Sequence, residues 1–256
     1  MTAARVVILI AVLYPLALSA QDGQIPRLPD GTVNLGGSYE EPGVWIPRDR
    51  TPELGRRSTL APVGTIPFQP WAKALYEDRQ LHELEPHARC KASGVARRWQ
   101  TPYGIEIVQL PDLARIYLFD IGGPHTFHAI HMDGRTHPRD PEPDGYGHSI
   151  GWWEQDTLVV DTVGFSEDFW LDRTGLPHTD RLRTLERFTR IDSRTMRYEV
   201  TIDDPNAYTR PWTGGFNLGW SRGTELFEYI CQESNQAPEL QVGDYGVVDR
   251  TSPIVP

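Results

Sequence analysis

The stretch Met196-Arg197-Tyr198-Glu199-Val200-Thr201-Ile202 alternates apolar and polar residues without a break. Successive side chains of a strand point to opposite faces, so Met196, Tyr198, Val200 and Ile202 share a buried face and Arg197, Glu199 and Thr201 the other. The same two-residue period recurs outward from it. It marks strands over 105–110, 114–121, 126–132, 149–153, 157–163, 184–191, 196–202, 216–221 and 225–231. Turn formers stand between them at Asp133-Gly134, Glu154-Gln155-Asp156, Asp192-Ser193-Arg194 and Gly214-Gly215. Short strands at this spacing fold as an antiparallel meander. Closure into a lipocalin- or calycin-like β-barrel removes the edges that eight or nine consecutive strands would otherwise expose. A barrel of that strand number holds one small ligand.

Upstream the period changes. Trp71, Ala74, Leu75, Arg79 and His82 recur at helical spacing between Pro67 and Leu84, and Pro67 and Pro70 suit a helix start. Cys90 to Gln100, polar and basic through Lys91, Arg97 and Arg98, reads as a connecting loop. Residues 21–66 are rich in proline and glycine and read as an irregular arm with one short strand near 38–46, leaving 67–256 as a single barrel domain. Residues 1–20 hold Arg5, an apolar run from Val6 to Leu13, Pro15 and the small-residue stretch Ala17-Leu18-Ser19-Ala20. That pattern is a secretory signal peptide, and its apolar run is shorter than the roughly 20 residues of a membrane span. The mature chain is therefore expected to be secreted or periplasmic, with no membrane insertion.

Acidic residues outnumber basic ones 35 to 25, for a net charge of −10. Such a field repels nucleic acid and anionic membrane, which leaves a neutral, apolar or cationic small molecule as the expected partner. Cys90 and Cys231 are the only two cysteines. Export favours their pairing, and closing so long a loop contributes about 4–5 kcal/mol in the chain-entropy model.

The strings Asp133-Gly134-Arg135-Thr136-His137-Pro138, Ser149 to Phe165 (SIGWWEQDTLVVDTVGF), Leu176-Pro177-His178-Thr179, Asp203-Asp204-Pro205 and Tyr208-Thr209-Arg210-Pro211-Trp212 resemble a family of exported bacterial β-rich proteins of unknown function. The resemblance runs from about Pro67 to Gln232. It implies export and a β-rich fold and brings no activity with it. The chain departs from the family pattern at Gln155, where glycine is expected in the turn, and at His128, where arginine is expected.

Six of the eight histidines stand at 125, 128, 131, 137, 148 and 178. His125, His128 and His131 step by three, which on a strand sends neighbours to opposite faces and prevents joint chelation. A composite site of His137, His148 or His178 with Asp140 or Asp172 would suit zinc, the alternative to a cofactor-free protein. Gly147-His148-Ser149-Ile150-Gly151 matches GxSxG, but that elbow needs a helix after the serine, whereas Trp152-Trp153 and Leu158-Val159-Val160 point to a hairpin. Asp161 interrupts an apolar strand, so a carboxylate there is either paired inside or turned outward. Neither a Walker A motif nor a dinucleotide fingerprint is present.

These features favour an exported enzyme that performs cofactor-free acid/base chemistry, of isomerase, lyase or cyclase type, on a partly hydrophobic or ring-containing substrate. His178, restrained by Pro177 after the turn Asp172 to Gly175, is the expected general acid/base, with Glu186 or Asp172 orienting it and His148 in reserve. Glu186 shares a strand face with Thr184 and Phe188. Arg135, His137, Trp152, Trp170 and Asp161 are the expected substrate-binding residues. Trp152, Trp170, His137, His148 and Arg135 should gather at one mouth, because the 133–149 segment is too proline-rich for strand. The alternatives are a periplasmic lipocalin-like carrier, hinted at by Gly43-Val44-Trp45, and a zinc-dependent hydrolase.

Overall fold

The structure, a computed structural model, describes residues 23–48, 60–62, 65–82, 85–101, 103–120 and 126–231. The expected signal peptide and His125 lie outside the described residues. Ten strands form in chain order: β1 (Gly43–Pro47), β2 (Ala61–Pro62), β3 (Ile105–Leu110), β4 (Arg115–Asp120), β5 (Phe127–His131), β6 (His148–Glu154), β7 (Thr157–Val163), β8 (Arg183–Arg190), β9 (Thr195–Asp203) and β10 (Trp212–Arg222). Nine of them close a barrel in the order β1-β3-β4-β5-β6-β7-β8-β9-β10, with β10 returning to β1 from Gly43↔Arg222 to Pro47↔Leu218. The short β2 adds to β10 at Gly214 and Gly215.

The alternation in β9 places Met196, Tyr198, Val200 and Ile202 at 0 % exposure, facing the axis. Each such side chain contributes about 1.5–3 kcal/mol by leaving water. Leu158 and Val160 of β7 and Phe188 of β8 join them, with Leu158 paired to Phe188 across the ladder. The α-helix α1 (Pro70–His82) lies against the wall; Trp71 Nε1 donates to Asn206 O at 2.9 Å and the Arg79 guanidinium covers the Trp170 ring at 5.2 Å.

Four expectations need correction. The barrel is not wholly antiparallel: β5 and β6 run parallel, joined only at Ile130↔Ser149 and His131↔Ile150. The physical reason is the 132–147 segment, long enough to carry the chain back to the end of the barrel where β5 began. Residues 225–231 form no strand. β10 is longer than its pattern suggested and β1, the short strand expected in the arm, takes the closing place, so β10 has no free edge for another strand there. Instead Phe227 and Tyr229 pack on Tyr103, and Cys231 is disulfide-bonded to Cys90.

The fourth concerns Cys90 to Gln100, expected as a polar connecting loop, of which residues 93–100 are buried. Its end, Arg97–Gln100, is a buried 3-10 turn, and Trp99 reaches Phe188 and Tyr198 at 5.4 and 5.6 Å between ring centroids. Val95, Ala96 and Trp99 supply the apolar surface that draws the segment in, carrying Arg98 with them at 1 % exposure. Among the described residues no helix is long and apolar enough to cross a membrane.

Candidate functional site

The parallel junction leaves a slot in the wall. β6 begins at His148, so Phe127, His128 and Ala129 of β5 have no partner on that side. The 132–147 segment arches over the gap and leaves a cavity of about 370 Å³. Its outer lining includes Phe127, His131 and His148, and its inner lining His128, Tyr146 and Ser149. Local chemistry fixes this turn into β6. Asp144 Oδ1 accepts from Tyr146 N at 2.7 Å and Gly147 N at 2.6 Å. Gly147 has φ +65, and a Cβ there would meet Val163 O at 2.6 Å, so only glycine lets the chain enter β6 at this angle.

On the outer lip His137 Nδ1 and His148 Nδ1 lie 2.9 Å apart, and the His131 ring stacks on His148 at 5.0 Å. Behind His137 stands Asp161, whose two oxygens accept from Arg183 Nε at 2.8 Å and Nη2 at 2.6 Å, with His137 Nε2 at 3.5 Å. His137 Nε2 makes no hydrogen bond at this distance, but a proton there suits the facing carboxylate better than a lone pair, and His137 Nδ1 then accepts from His148 Nδ1–H. His148 Nε2 is then a bare lone pair. Burial, followed by the charges of His137 and Arg135, lowers the His148 pKa, which keeps the ring neutral near pH 7. Burial pushes the Asp161 carboxyl up, but the Arg183 hydrogen bonds and charge outweigh it and the pKa ends lowered. His131 is held at about 4, by burial first and then by Arg115 and Arg135.

Inside the wall a second set of polar groups is buried. His128 Nε2 and Ser149 Oγ are 2.5 Å apart, and Ser149 Oγ meets Thr162 Oγ1 at 2.6 Å. Tyr146 Oη donates to Asp120 Oδ2 at 2.8 Å, Thr126 Oγ1 to Asp120 Oδ1 at 3.2 Å, and Tyr198 Oη to Glu186 Oε1 at 2.9 Å. Arg98 lies among them, its guanidinium 4.2 Å over the Tyr146 ring. Burial raises the carboxyls of Asp120 and Glu186, the latter to about 6, against the opposing pull of Arg98. Burial and then Arg98 hold His128 neutral, well below its ordinary pKa.

The expected site residues are thus only partly gathered. His148, His137 and Asp161 meet at the slot, and Arg135 stands near them, its guanidinium bound to Asp133. Trp152 is on the outer wall, donating to Glu154 Oε1 at 3.1 Å, and Trp170 packs under α1. His178 is buried with Nε2 3.0 Å from Phe169 O, Nδ1 3.2 Å from Thr179 O, and its ring 4.2 Å from that of Phe169. Burial lowers its pKa. Neither Glu186 nor Asp172 makes a hydrogen bond to it. Glu186 faces the axis with Tyr198. Asp172, its pKa raised by burial, braces its own turn by accepting from Thr174 N at 2.8 Å and Oγ1 at 2.7 Å. The pairing expected of His178 with either carboxylate fails because both imidazole nitrogens are directed at backbone carbonyls.

Sequence reasoning missed Arg98, Asp120, Tyr146 and the His128–Ser149 contact. The legible signal was the Val95-Ala96…Trp99 triad around Arg98, which marks a segment bound for the interior. Among the described residues no group of three or more His, Cys, Asp or Glu is placed to hold a metal ion. No family model matches this chain, and neither curated proteins nor solved structures provide a match.

Proposed function

We propose that the protein is an exported enzyme performing cofactor-free acid/base chemistry on a small, neutral, partly hydrophobic molecule at the slot between β5 and β6 of a calycin-like barrel. The observation that carries this reading is the relay Asp161–His137–His148, with the 2.9 Å Nδ1 to Nδ1 contact at the lip of the cavity. His148 Nε2 is the general base. As it takes a proton, the positive charge is shared towards His137 and faces the Asp161 carboxylate, which favours the imidazolium at the moment it forms. Phe127, 59 % exposed at the rim and in edge contact with Tyr117, offers a ring surface for the apolar part of the substrate. A simple carrier would have a wall apolar throughout, whereas this cavity is lined by His131, His148, His128 and Ser149.

The test is solvent deuterium exchange at carbon acids, followed by NMR across a panel of cyclic ketones, enones and lactones at pH 7.5. The oxidised full chain is expected to exchange at least one, with H148A slower by about 10²–10⁴-fold. Because burial holds the His148 pKa below its ordinary value, activity is expected to fall as the ring protonates at a pH lower than that of an ordinary histidine. Exchange no faster than buffer for every compound, or an undiminished rate in H148A, refutes the assignment.

A further inference from the structure

Arg98 is 1 % exposed, yet none of Nε, Nη1 and Nη2 makes a hydrogen bond. The Tyr146 ring covers one face of the guanidinium but takes none of its in-plane N–H groups. Trp99 Nε1, Thr184 Oγ1, His128 Nδ1 and Glu186 Oε2 are also buried without a hydrogen-bond partner. These groups converge. Trp99 follows Arg98 in one turn, and its indole faces Glu186 without good hydrogen-bond geometry. Thr184 and Glu186 are alternate residues on the inward face of β8; Trp99 packs on Tyr198, whose Oη donates to Glu186 Oε1, and Arg98 lies on the Tyr146 ring, which stacks on His128 at 5.9 Å.

Native interiors leave few polar atoms unmatched, and an unmatched charged group is among the costliest. Replacing Arg98, Asp120 and Glu186 together by apolar residues would be neutral or stabilising in a protein that had no use for them, whereas removal of the cation alone would strand two buried carboxyls. We propose that the barrel interior at Arg98 binds a small neutral molecule that presents a carbonyl-type oxygen beside an N–H or O–H: a lactam, an amide or a hydroxy-carbonyl compound. The oxygen accepts from the Arg98 fork and the Trp99 indole; the adjoining N–H or O–H donates to Glu186 Oε2. Neutrality follows from the charges. One guanidinium faces two carboxylates, Asp120 and Glu186, so an anion would bring a third negative charge. Asp120 is not the recognition group, because both its oxygens already accept, from Thr126 and Tyr146. The cavity at the slot reaches His128, Tyr146 and Ser149, and the Arg98 guanidinium lies against the Tyr146 ring at 4.2 Å. This site stands whether or not His148 is a base, and so goes beyond the proposed reaction.

Three ring compounds of similar size test it against the oxidised full chain, by saturation-transfer NMR and calorimetric titration: 2-piperidone, N-methyl-2-piperidone and cyclopentanecarboxylate. The lactam is expected to bind. Its N-methyl analogue, lacking the donor, and the carboxylate should each bind at least tenfold more weakly. Arg98→Met, checked for folding by circular dichroism, should weaken lactam binding tenfold or more. If that variant does not fold, Arg98→Lys, which keeps the charge but loses the fork, should show the same loss. Ordered water only, seen as no lactam binding, overturns the proposal. So does equal binding of the N-methyl compound, tighter binding of the carboxylate, or lactam affinity unchanged in the variants.

Discussion

Glu186→Gln probes the barrel interior through its pH dependence. Glu186 is 1 % exposed, and burial raises its carboxyl pKa from 4.5 to about 6, opposed by the Arg98 charge and the hydrogen bond from Tyr198. The folded state therefore holds this proton more tightly than the unfolded chain. Stability from the group is fully present below pH 4.5 and is lost as the pH rises through about 6. At ~1.36 kcal/mol per pH unit, the difference amounts to ~2 kcal/mol. Glutamine keeps the acceptor that Tyr198 Oη uses at 2.9 Å and never ionises. Between pH 4 and pH 8 the stability of the variant relative to the natural protein should therefore move by ~2 kcal/mol in the variant's favour, or ~4–8 °C in Tm. Urea unfolding followed by tryptophan fluorescence across that range reads it. Parallel curves, with an offset that does not change with pH, would show that Glu186 is not held as the structure has it and refute the reasoning.

Further outcomes follow from single contacts. His178→Ala should lower Tm by several degrees, through loss of a buried hydrogen bond and of the Phe169 contact, while leaving slot chemistry intact; unchanged melting with lost turnover would restore His178 as the acid/base group. Gln155→Gly should stabilise by ~1 kcal/mol, because residue 155 has φ +56 in the β6–β7 turn and glycine meets no strain there; a melting curve that does not shift upward refutes it. Thiol titration of the unfolded, unreduced chain should find no reactive thiol, and reduction should cost about 4–5 kcal/mol in urea unfolding; two thiols per chain would exclude the Cys90–Cys231 bond.

The strands were legible because apolar burial imposes a period of two, and that period survives an occasional polar residue. β3 and β7 fall where the alternation put them, and Glu186 lies on the face it shares with Thr184 and Phe188. The histidine spacing was informative for the same reason. His128 turns inward to Ser149 and His131 outward to His148, as residues three apart must. Asp161 left two options open because burial and orientation are different things. It points away from the axis yet is 4 % exposed, since Arg183 and His137 cover it. Gln155 stands where the turn needs left-handed backbone, which is why a glycine was expected there.

What local pattern could not reach was pairing between distant segments. The short strand expected near 38–46 is β1, but its closing place in the barrel was not legible, because its partner, β10, lies more than 160 residues away and the ladder forms only when the barrel closes. The relay depends on the same kind of closure. His148 and Asp161 are brought together by the β6–β7 ladder, where Ile150 pairs with Asp161, and His137 arrives from the crossover above. The interior groups are harder still. An arginine beside a tryptophan reads as surface charge next to an anchor, and nothing in the period distinguishes an inward arginine from an outward one. An apolar set in place of Arg98, Asp120 and Glu186 together would fill the barrel at lower cost, as replacement of whole buried ion clusters elsewhere shows. The arrangement of Arg98 and its carboxylates is therefore better explained by what the interior must recognise than by what holds the barrel closed, a task already served by Tyr198, Val200, Phe188 and Trp99.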